Sequence, residues 1–181
     1  MKKIISLLAL FLVAGTLNLP AQNYDVGDMN LSLNIGIGSG LLPEGIKLPP
    51  TSLQLEYGIA ENLGVGILVG YAATDYEINL YSGNTVNFET DHFLLGALGQ
   101  YHFYSSESAN MYAKAMLGYD LASSEFIADD GLQQDDFDDK NPSLIYGIHL
   151  GALYYFSDAT GAFAEIGYGL SIFNVGLSLR L

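Results

Sequence analysis

Three histidines carry side chains suited to acid–base chemistry, and only one of them has suitable neighbours. His92 directly follows Asp91, and Ser82 and Ser143 are the serines that could approach it. A histidine with a serine and a carboxylate is the arrangement used by enzymes that hydrolyse or transfer acyl chains of lipids. The sequence has no G-x-S-x-G signature, however, and no cysteine that could act as a nucleophile. The pattern therefore favours a protein that is not an enzyme.

The most acidic stretch of the chain could bind cations. Seven acidic residues lie between Glu125 and Asp139, and Lys140 follows them. Their spacing lacks the alternating oxygen ligands, central glycine and closing glutamate of an EF-hand. We interpret residues 125–139 as a solvated loop that resists aggregation by like charge, with weak Ca²⁺ or Mg²⁺ binding as the alternative.

The first 21 residues have the layout of a secretory signal. Lys2 and Lys3 precede an apolar run from Ile4 to Val13, which is too short to span a bilayer as a helix. We predict a signal peptide at 1–21 and a short periplasmic leader at 22–28. The remaining chain has four basic and twenty acidic residues, a net charge near −16, which excludes a nucleic-acid partner.

Period-two alternation of apolar residues predicts eight β-strands between residues 29 and 181. The predicted strands are Met29–Gly38, Thr51–Ile59, Leu63–Thr74, His92–Tyr104, Met111–Ala122, Ser143–Phe156, Ala162–Gly169 and Ile172–Leu181. Short turn sequences alternate with long polar or proline-rich connections, except for the tight last connection near Leu170. Short turns at one end and long loops at the other are typical of an antiparallel outer-membrane barrel.

The two faces of the predicted strands differ in their charge. One parity, which includes Leu33, Ile67 and Leu177, carries no charged residue in any strand. The charged residues of the strand interiors share the other parity, and we expect them to form a network inside the barrel. They are Glu56, Lys114, Asp120, Glu165 and Arg180. A soluble calycin-like barrel would place these charges outside instead.

Aromatic residues of the uncharged face fall into two bands. One band lies near the long loops, at Tyr71, Phe93, Tyr119, Tyr146, Tyr168 and Phe173, and the other near the short turns, at Tyr57, Tyr101, Phe103, Tyr154 and Phe156. Phe93 and Phe103 are ten positions apart, which at about 3.3 Å per residue and a tilt of about 40° gives a height of about 25 Å. These bands predict two aromatic girdles at the membrane interfaces.

In its signal, strand pattern, loop alternation and amphipathic last strand (FNVGLSLRL), the chain resembles the small eight-stranded outer-membrane barrels of the OmpA/OmpX-like family. The resemblance implies an all-β, up-and-down transmembrane barrel in the outer membrane of a Gram-negative-type cell. It implies a monomer without a cofactor or metal, in contact with outer-membrane lipids and the barrel-assembly machinery.

A barrel of eight strands has a lumen that side chains can fill. We therefore expect a structural or surface-interaction role, such as envelope integrity or adhesion to an extracellular partner through the long loops. A narrow porin-like channel or uptake protein is the alternative, and a lipid-modifying enzyme comes third.

Overall fold

The computed structural model describes residues 24–38, 40–42, 45–79, 85–128 and 142–181, without the side chains of 76–79, 85–88 and 125–128. The predicted signal peptide at 1–21 lies outside the described residues, and so does most of the acidic run at 125–139. No helix in the described part of the chain is long and apolar enough to span a bilayer.

Eight antiparallel strands close into one barrel, which confirms the predicted fold. The strands are β1 (Met29–Ile37), β2 (Ile46–Ala60), β3 (Leu63–Asn79), β4 (Thr85–Ser105), β5 (Ala109–Ala128), β6 (Pro142–Tyr155), β7 (Thr160–Tyr168) and β8 (Phe173–Arg180). Each strand pairs with its sequence neighbours, and β1 pairs with β8 from Asn30–Arg180 to Ile37–Phe173. The ladder of backbone hydrogen bonds therefore continues around the whole cylinder.

The connections divide the barrel into a turn end and a loop end. At the turn end β2 and β3 are joined by two residues, of which Asn62 has a φ of 64°, a left-handed conformation that asparagine tolerates. The other turn-end connections are 106–108 and 156–159, and the loop end carries 38–45, 80–84, 129–141 and 169–172. This matches the predicted alternation, including the tight connection between β7 and β8.

Strand β2 begins at Ile46, five residues before its predicted start at Thr51. Prolines at 49 and 50 suggested a loop, because proline cannot donate to a β-ladder. The structure accommodates them at an irregularity, since the register between β2 and β3 shifts between Leu48 and Thr51. At such a break in the ladder of backbone hydrogen bonds, a strand can include prolines although they have no N–H to donate.

Strands β3, β4 and β5 are longer than predicted at the loop end. The pairing of β3 with β4 runs on to Asn79–Thr85, and that of β4 with β5 to Val86–Ala128. We call residues 74–79, 85–91 and 122–128 the outer extension. On β4, Thr85 at the end of this extension lies eight residues beyond Phe93 of the loop-end aromatic band. At about 3.3 Å per residue and a tilt of about 40°, that is about 20 Å of height.

Burial follows the predicted parity along the strands. On β6 every second side chain is exposed, the large ones between 51% for Tyr146 and 68% for Ile148, and the residues between them from Ile145 onward are buried. Four outward leucines of β1 and β8 are less exposed, because they pack together beside Ala159. They are Leu31, Leu33, Leu177 and Leu179. The exposed side is otherwise an apolar band of the kind that contacts acyl chains.

All eleven residues of the predicted aromatic girdles have exposed side chains, between 40% for Tyr71 and 60% for Tyr154. Tyr104 is also exposed, at 53%, although its sequence parity is inward. The register between β4 and β5 shifts between His102 and Tyr104, and a bulge of this kind turns the following side chain to the other face.

The depth of an outward position should determine the cost of a charge there. Leu150 lies midway between the two aromatic bands of β6, whereas Leu144 lies beyond Tyr146 at the loop end. We expect Leu150→Lys to lower the free energy of unfolding by about 2–4 kcal/mol, and Leu144→Lys by no more than about 1 kcal/mol. Urea unfolding in lipid vesicles measures both. Equal losses would contradict the placement of the membrane.

Candidate functional site in the lumen

The inward residues of β4 and β5 show how the lumen is layered. From the loop end, β4 contributes His92, then Leu94 and Leu98, then Gln100 and His102, all buried. The inward side of β5 repeats this order with Asp120, Met116, Lys114, Tyr112 and Asn110. The lumen therefore has a polar layer at the loop end, an apolar layer below it, and a larger polar region at the turn end.

Lys114 and Glu165 form a fully buried ion pair in the polar region. Lys114 Nζ donates to both carboxylate oxygens of Glu165 at 2.6 Å and lies 3.4 Å from Gln54 Oε1. Tyr112 Oη donates to Glu165 at 2.8 Å, and Asn174 Nδ2 at 3.0 Å. Several donors thus replace the water that the Glu165 carboxylate loses on burial, as a buried charge requires.

Glu56 pairs with His102 near the turn end. The distance from His102 Nε2 to Glu56 Oε1 is 2.8 Å, and since a carboxylate only accepts, Nε2 is the donor. The other ring nitrogen of His102 lies 2.9 Å from Asn110 Oδ1. Both residues are at most 5% exposed, so the pair lies inside the barrel.

Arg180 stacks on an aromatic ring instead of pairing with a carboxylate. Its guanidinium carbon lies 4.2 Å from the centre of the Tyr155 ring, a cation–π contact. Tyr155 Oη donates to Asn30 Oδ1 at 3.1 Å, and within the described residues Arg180 Nη1 has no hydrogen-bond partner. The charges expected in one network are thus all buried, but they lie in separate groups of contacts.

His92 contacts different residues from those that the sequence suggested. Asp91 lies on the outward face, where Tyr71 Oη donates to it, because neighbouring residues of a strand point to opposite sides. Inside, His92 Nδ1 lies 2.7 Å from Asp120 Oδ2, and His92 Nε2 lies 3.2 Å from Thr74 Oγ1. Of the two serines, Ser82 lies outside the described residues.

A threonine, a histidine and an aspartate in a row resemble the relay of hydrolases, but this one is enclosed. Thr74 and His92 are each 4% exposed. Neither residue lines either of the cavities that the described residues enclose in the lumen. A substrate needs space within hydrogen-bonding distance of the nucleophile and base. The three side chains form a polar layer here, in which the second oxygen of Asp120 has no hydrogen-bond partner among the described residues.

The apolar layer is closed by residues from two loop-end connections. Leu42 and Leu170 pack among the inward leucines, and Leu41 N donates to Gly169 O at 2.7 Å. The full layer comprises Leu42, Leu68, Ala72, Leu94, Leu98, Met116, Ile145 and Leu170, with Leu41 against it. Neither leucine of the β1–β2 connection was predicted to enter the lumen, since their loop position carries no periodic signal.

The lumen of the described structure retains two small cavities. One of about 20 Å³ lies between the apolar layer and Lys114, and one of about 10 Å³ lies between Glu165 and Glu56. Each has room for about one water molecule. Neither cavity reaches from one end of the described lumen to the other. The described residues also hold no group of three or more His, Asp or Glu placed to bind a metal ion.

Acidic residues of the outer extension lie on its outward face. Asp75 faces Glu89 across β3 and β4, and Asp91 follows on the same side of β4. Lys47 Nζ donates to Glu89 at 2.6 Å, and this hydrogen bond raises the pKa of Lys47 above its ordinary value, with Asp75 and Asp91 adding to the shift. Like charges at facing positions repel, so one lysine among three carboxylates leaves this surface negative.

Removing one member of the buried pair should cost far more than removing one of the exposed pair. Lys114→Met leaves Glu165 as a buried carboxylate without its cation, which we expect to lower the free energy of unfolding by about 3–5 kcal/mol. Lys47→Met breaks an exposed, solvent-screened pair and should leave the free energy of unfolding nearly unchanged. Urea unfolding in vesicles, followed by tyrosine emission because the chain has no tryptophan, measures both.

The double variant Lys114→Met/Glu165→Leu removes both charges and should recover most of that loss. If Lys114→Met is no more destabilising than Lys47→Met, the enclosed ion pair is refuted.

No family model and no curated protein matches this sequence. Among solved structures, a de novo designed transmembrane β-barrel is similar, with a TM-score of 0.50 and 13% identity over 88% of this chain and 100% of that chain. The N-terminal β-barrel domain of Pseudomonas aeruginosa OprF has a TM-score of 0.50 and 16% identity, over the same shares of the two chains.

The outer membrane protein Ail of Yersinia pestis has a TM-score of 0.46 and 16% identity, over 86% of this chain and 99% of that chain. The first two likenesses, with the closed barrel, confirm the resemblance to small eight-stranded outer-membrane barrels at the level of the fold. The chain has the fold of an eight-stranded outer-membrane β-barrel, and the outer membrane is the location that this fold indicates.

Proposed function

We propose that the protein is a closed outer-membrane barrel that presents a binding surface outside the cell and has neither a pore nor an enzymatic activity of its own. The observation that carries this proposal is the contrast between lumen and outer extension. The lumen has room for about one water molecule at each of two places. The outer extension continues well beyond the aromatic girdle at the loop end.

A sheet that extends beyond the membrane serves no purpose in spanning it. The height between the two aromatic bands already matches the apolar thickness of about 25 Å found in outer-membrane barrels. The additional pairs from Asp75–Glu89 to Asn79–Thr85 lie beyond the Tyr71–Phe93 pair of the loop-end aromatic band. They hold three strands rigidly above the membrane, which is what a surface for a partner requires.

The charge of this surface suggests a basic partner. Asp75, Glu89 and Asp91 face outward with Lys47 as their described basic neighbour. A negative surface attracts positively charged segments and raises their rate of association, more strongly at low salt. We infer that the partner is a polypeptide or cell surface rich in lysine and arginine.

A narrow channel is the second candidate, and the ionisable residues of the lumen favour it. A series of ionisable side chains leads from the turn end towards the apolar layer, in the order Glu56, His102, Glu165, Lys114 and His149. A water-sized cavity lies on each side of the Lys114–Glu165 pair. Leu42 and Leu170 interrupt this path in the described structure. A planar-bilayer recording with stable, well-defined conductance steps would support the channel and contradict the closed barrel.

Binding of a basic peptide tests the proposed surface. The triple variant Asp75→Asn/Glu89→Gln/Asp91→Asn removes three negative charges from the outer extension. At about 0.2–1 kcal/mol for each exposed charge pair, we expect affinity for a lysine-rich peptide to fall about fivefold at low salt. The measurement is titration of the peptide onto the protein in nanodiscs.

The matched control is Glu61→Gln/Glu107→Gln/Asp158→Asn, which changes the net charge equally at the turn end, where these three residues are exposed. Its affinity should stay close to that of the unchanged protein. Equal losses in both triple variants would mean that the peptide senses only net charge, and would overturn the proposed surface.

A further inference from the structure

The residues just before β1 fold back into the barrel at the turn end. Tyr24 is only 4% exposed, although it precedes the first strand by five positions. Gly27 N donates to Gly58 O at 2.9 Å, and Gly58 N donates to Asp28 O at 2.8 Å. These bonds fix residues 24–28 against β2. Gly27 has a φ of 92°, a backbone conformation that residues with a side chain rarely adopt. The predicted periplasmic leader is therefore partly inside the barrel mouth.

The side chain of Tyr24 contacts the innermost polar groups of that end. Its ring stacks on His102 with the ring centres 3.7 Å apart and the planes at 19°. Its hydroxyl donates to Glu56 Oε1 at 2.7 Å, and its backbone N donates to Ser105 Oγ at 3.1 Å. Burial, followed by the nearby Glu56 carboxylate, raises the pKa of Tyr24, so the phenol remains a donor.

The residue opposite Tyr24 has no side chain of its own. A Cβ at Gly64 would collide with the Tyr24 hydroxyl and with Glu56 Oε1. Neither the hydroxyl of Tyr24 nor the carboxylate of Glu56 could keep its position if residue 64 were alanine. Gly64 on β3 therefore leaves the space that Tyr24 occupies.

A polar chamber lies directly behind the residues that Tyr24 covers. The cavity of about 10 Å³ is lined by Glu56 and His102, both in contact with Tyr24, and further in by Gln100, Glu165 and Ser178. On its other side come the Lys114–Glu165 pair and then the apolar layer. Tyr24 thus covers, from the turn end, two of the side chains that line this chamber.

We propose that residues 24–28 are a plug, with Tyr24 as its closing side chain, that controls access of water and small solutes from the periplasm to the turn-end chamber of the lumen. The plug is held by a few hydrogen bonds and one ring stack, whereas the barrel around it is held by continuous strand pairing. It can therefore leave without the barrel opening. When it leaves, Glu56 keeps its hydrogen bond with His102, and water replaces the tyrosine hydroxyl.

The absence of cysteine from the chain makes the plug directly testable. Ser178 is 1% exposed and lines the turn-end chamber, whereas Ser171 is 2% exposed and lines the other cavity, which lies beyond the Lys114–Glu165 pair against the apolar layer. Ser178→Cys and Ser171→Cys are near-isosteric single-cysteine probes of the two chambers. The readout is the rate at which a small cationic methanethiosulfonate modifies each thiol in nanodiscs.

We expect Tyr24→Ala to raise the modification rate of Ser178→Cys at least tenfold and to leave that of Ser171→Cys unchanged. Gly64→Ala displaces the Tyr24 hydroxyl from the opposite side and should raise the Ser178→Cys rate in the same direction. A heat-dependent shift on a gel verifies that each variant is a folded barrel. An unchanged Ser178→Cys rate in folded variants of both kinds would overturn the plug, and so would equal acceleration at Ser171→Cys.

Discussion

The structure depends on one constraint, which is that a backbone N–H or C=O in a hydrocarbon layer has no water to bond with. Pairing of β1 with β8 over eight register positions satisfies this constraint, because it leaves neither strand with a free edge within the apolar band. Closure in turn makes every strand two-sided. One side must suit acyl chains, and the other must fill the lumen, so the alternation of side chains follows from the closed ladder.

Enclosure also determines how the lumen holds its charges. In the described part of the chain each buried carboxylate lies against its own nitrogen donor, with Glu165 against Lys114, Glu56 against His102 and Asp120 against His92. Local pairs of this kind avoid the cost of an isolated ion in a medium of low polarity. Between these pairs the apolar layer crosses the lumen, so polar groups at the two ends are separated by leucine, methionine and isoleucine side chains.

The sequence predicted the barrel because lipid imposes a two-residue period from Leu31 to Leu181 that few other environments require. The outer extension was missed because its alternation has the opposite sense. In DYEIN and TVNFET the polar residues take the parity that is apolar within the membrane band, so the outward apolar pattern that marks a membrane strand stops there. The partners of the lumen charges were also out of reach. Asp120 contacts His92 diagonally between the neighbouring strands β4 and β5, and this contact depends on a register that the sequence does not reveal. Tyr24 enters the barrel mouth from a segment that has no periodic pattern of apolar residues.

The most direct test of the account is the environment of successive side chains along β6. Single spin labels at positions 144–155, introduced through cysteine into a chain that has none, report collisions with oxygen, which is concentrated in lipid, and with a water-soluble nickel complex. In a closed barrel with its apolar face in lipid, labels at Tyr146, Ile148, Leu150 and Ala152 should be reached by oxygen and shielded from nickel, whereas those at His149 and Gly151 should be shielded from both. High nickel accessibility at Ile148 and Leu150 would contradict it.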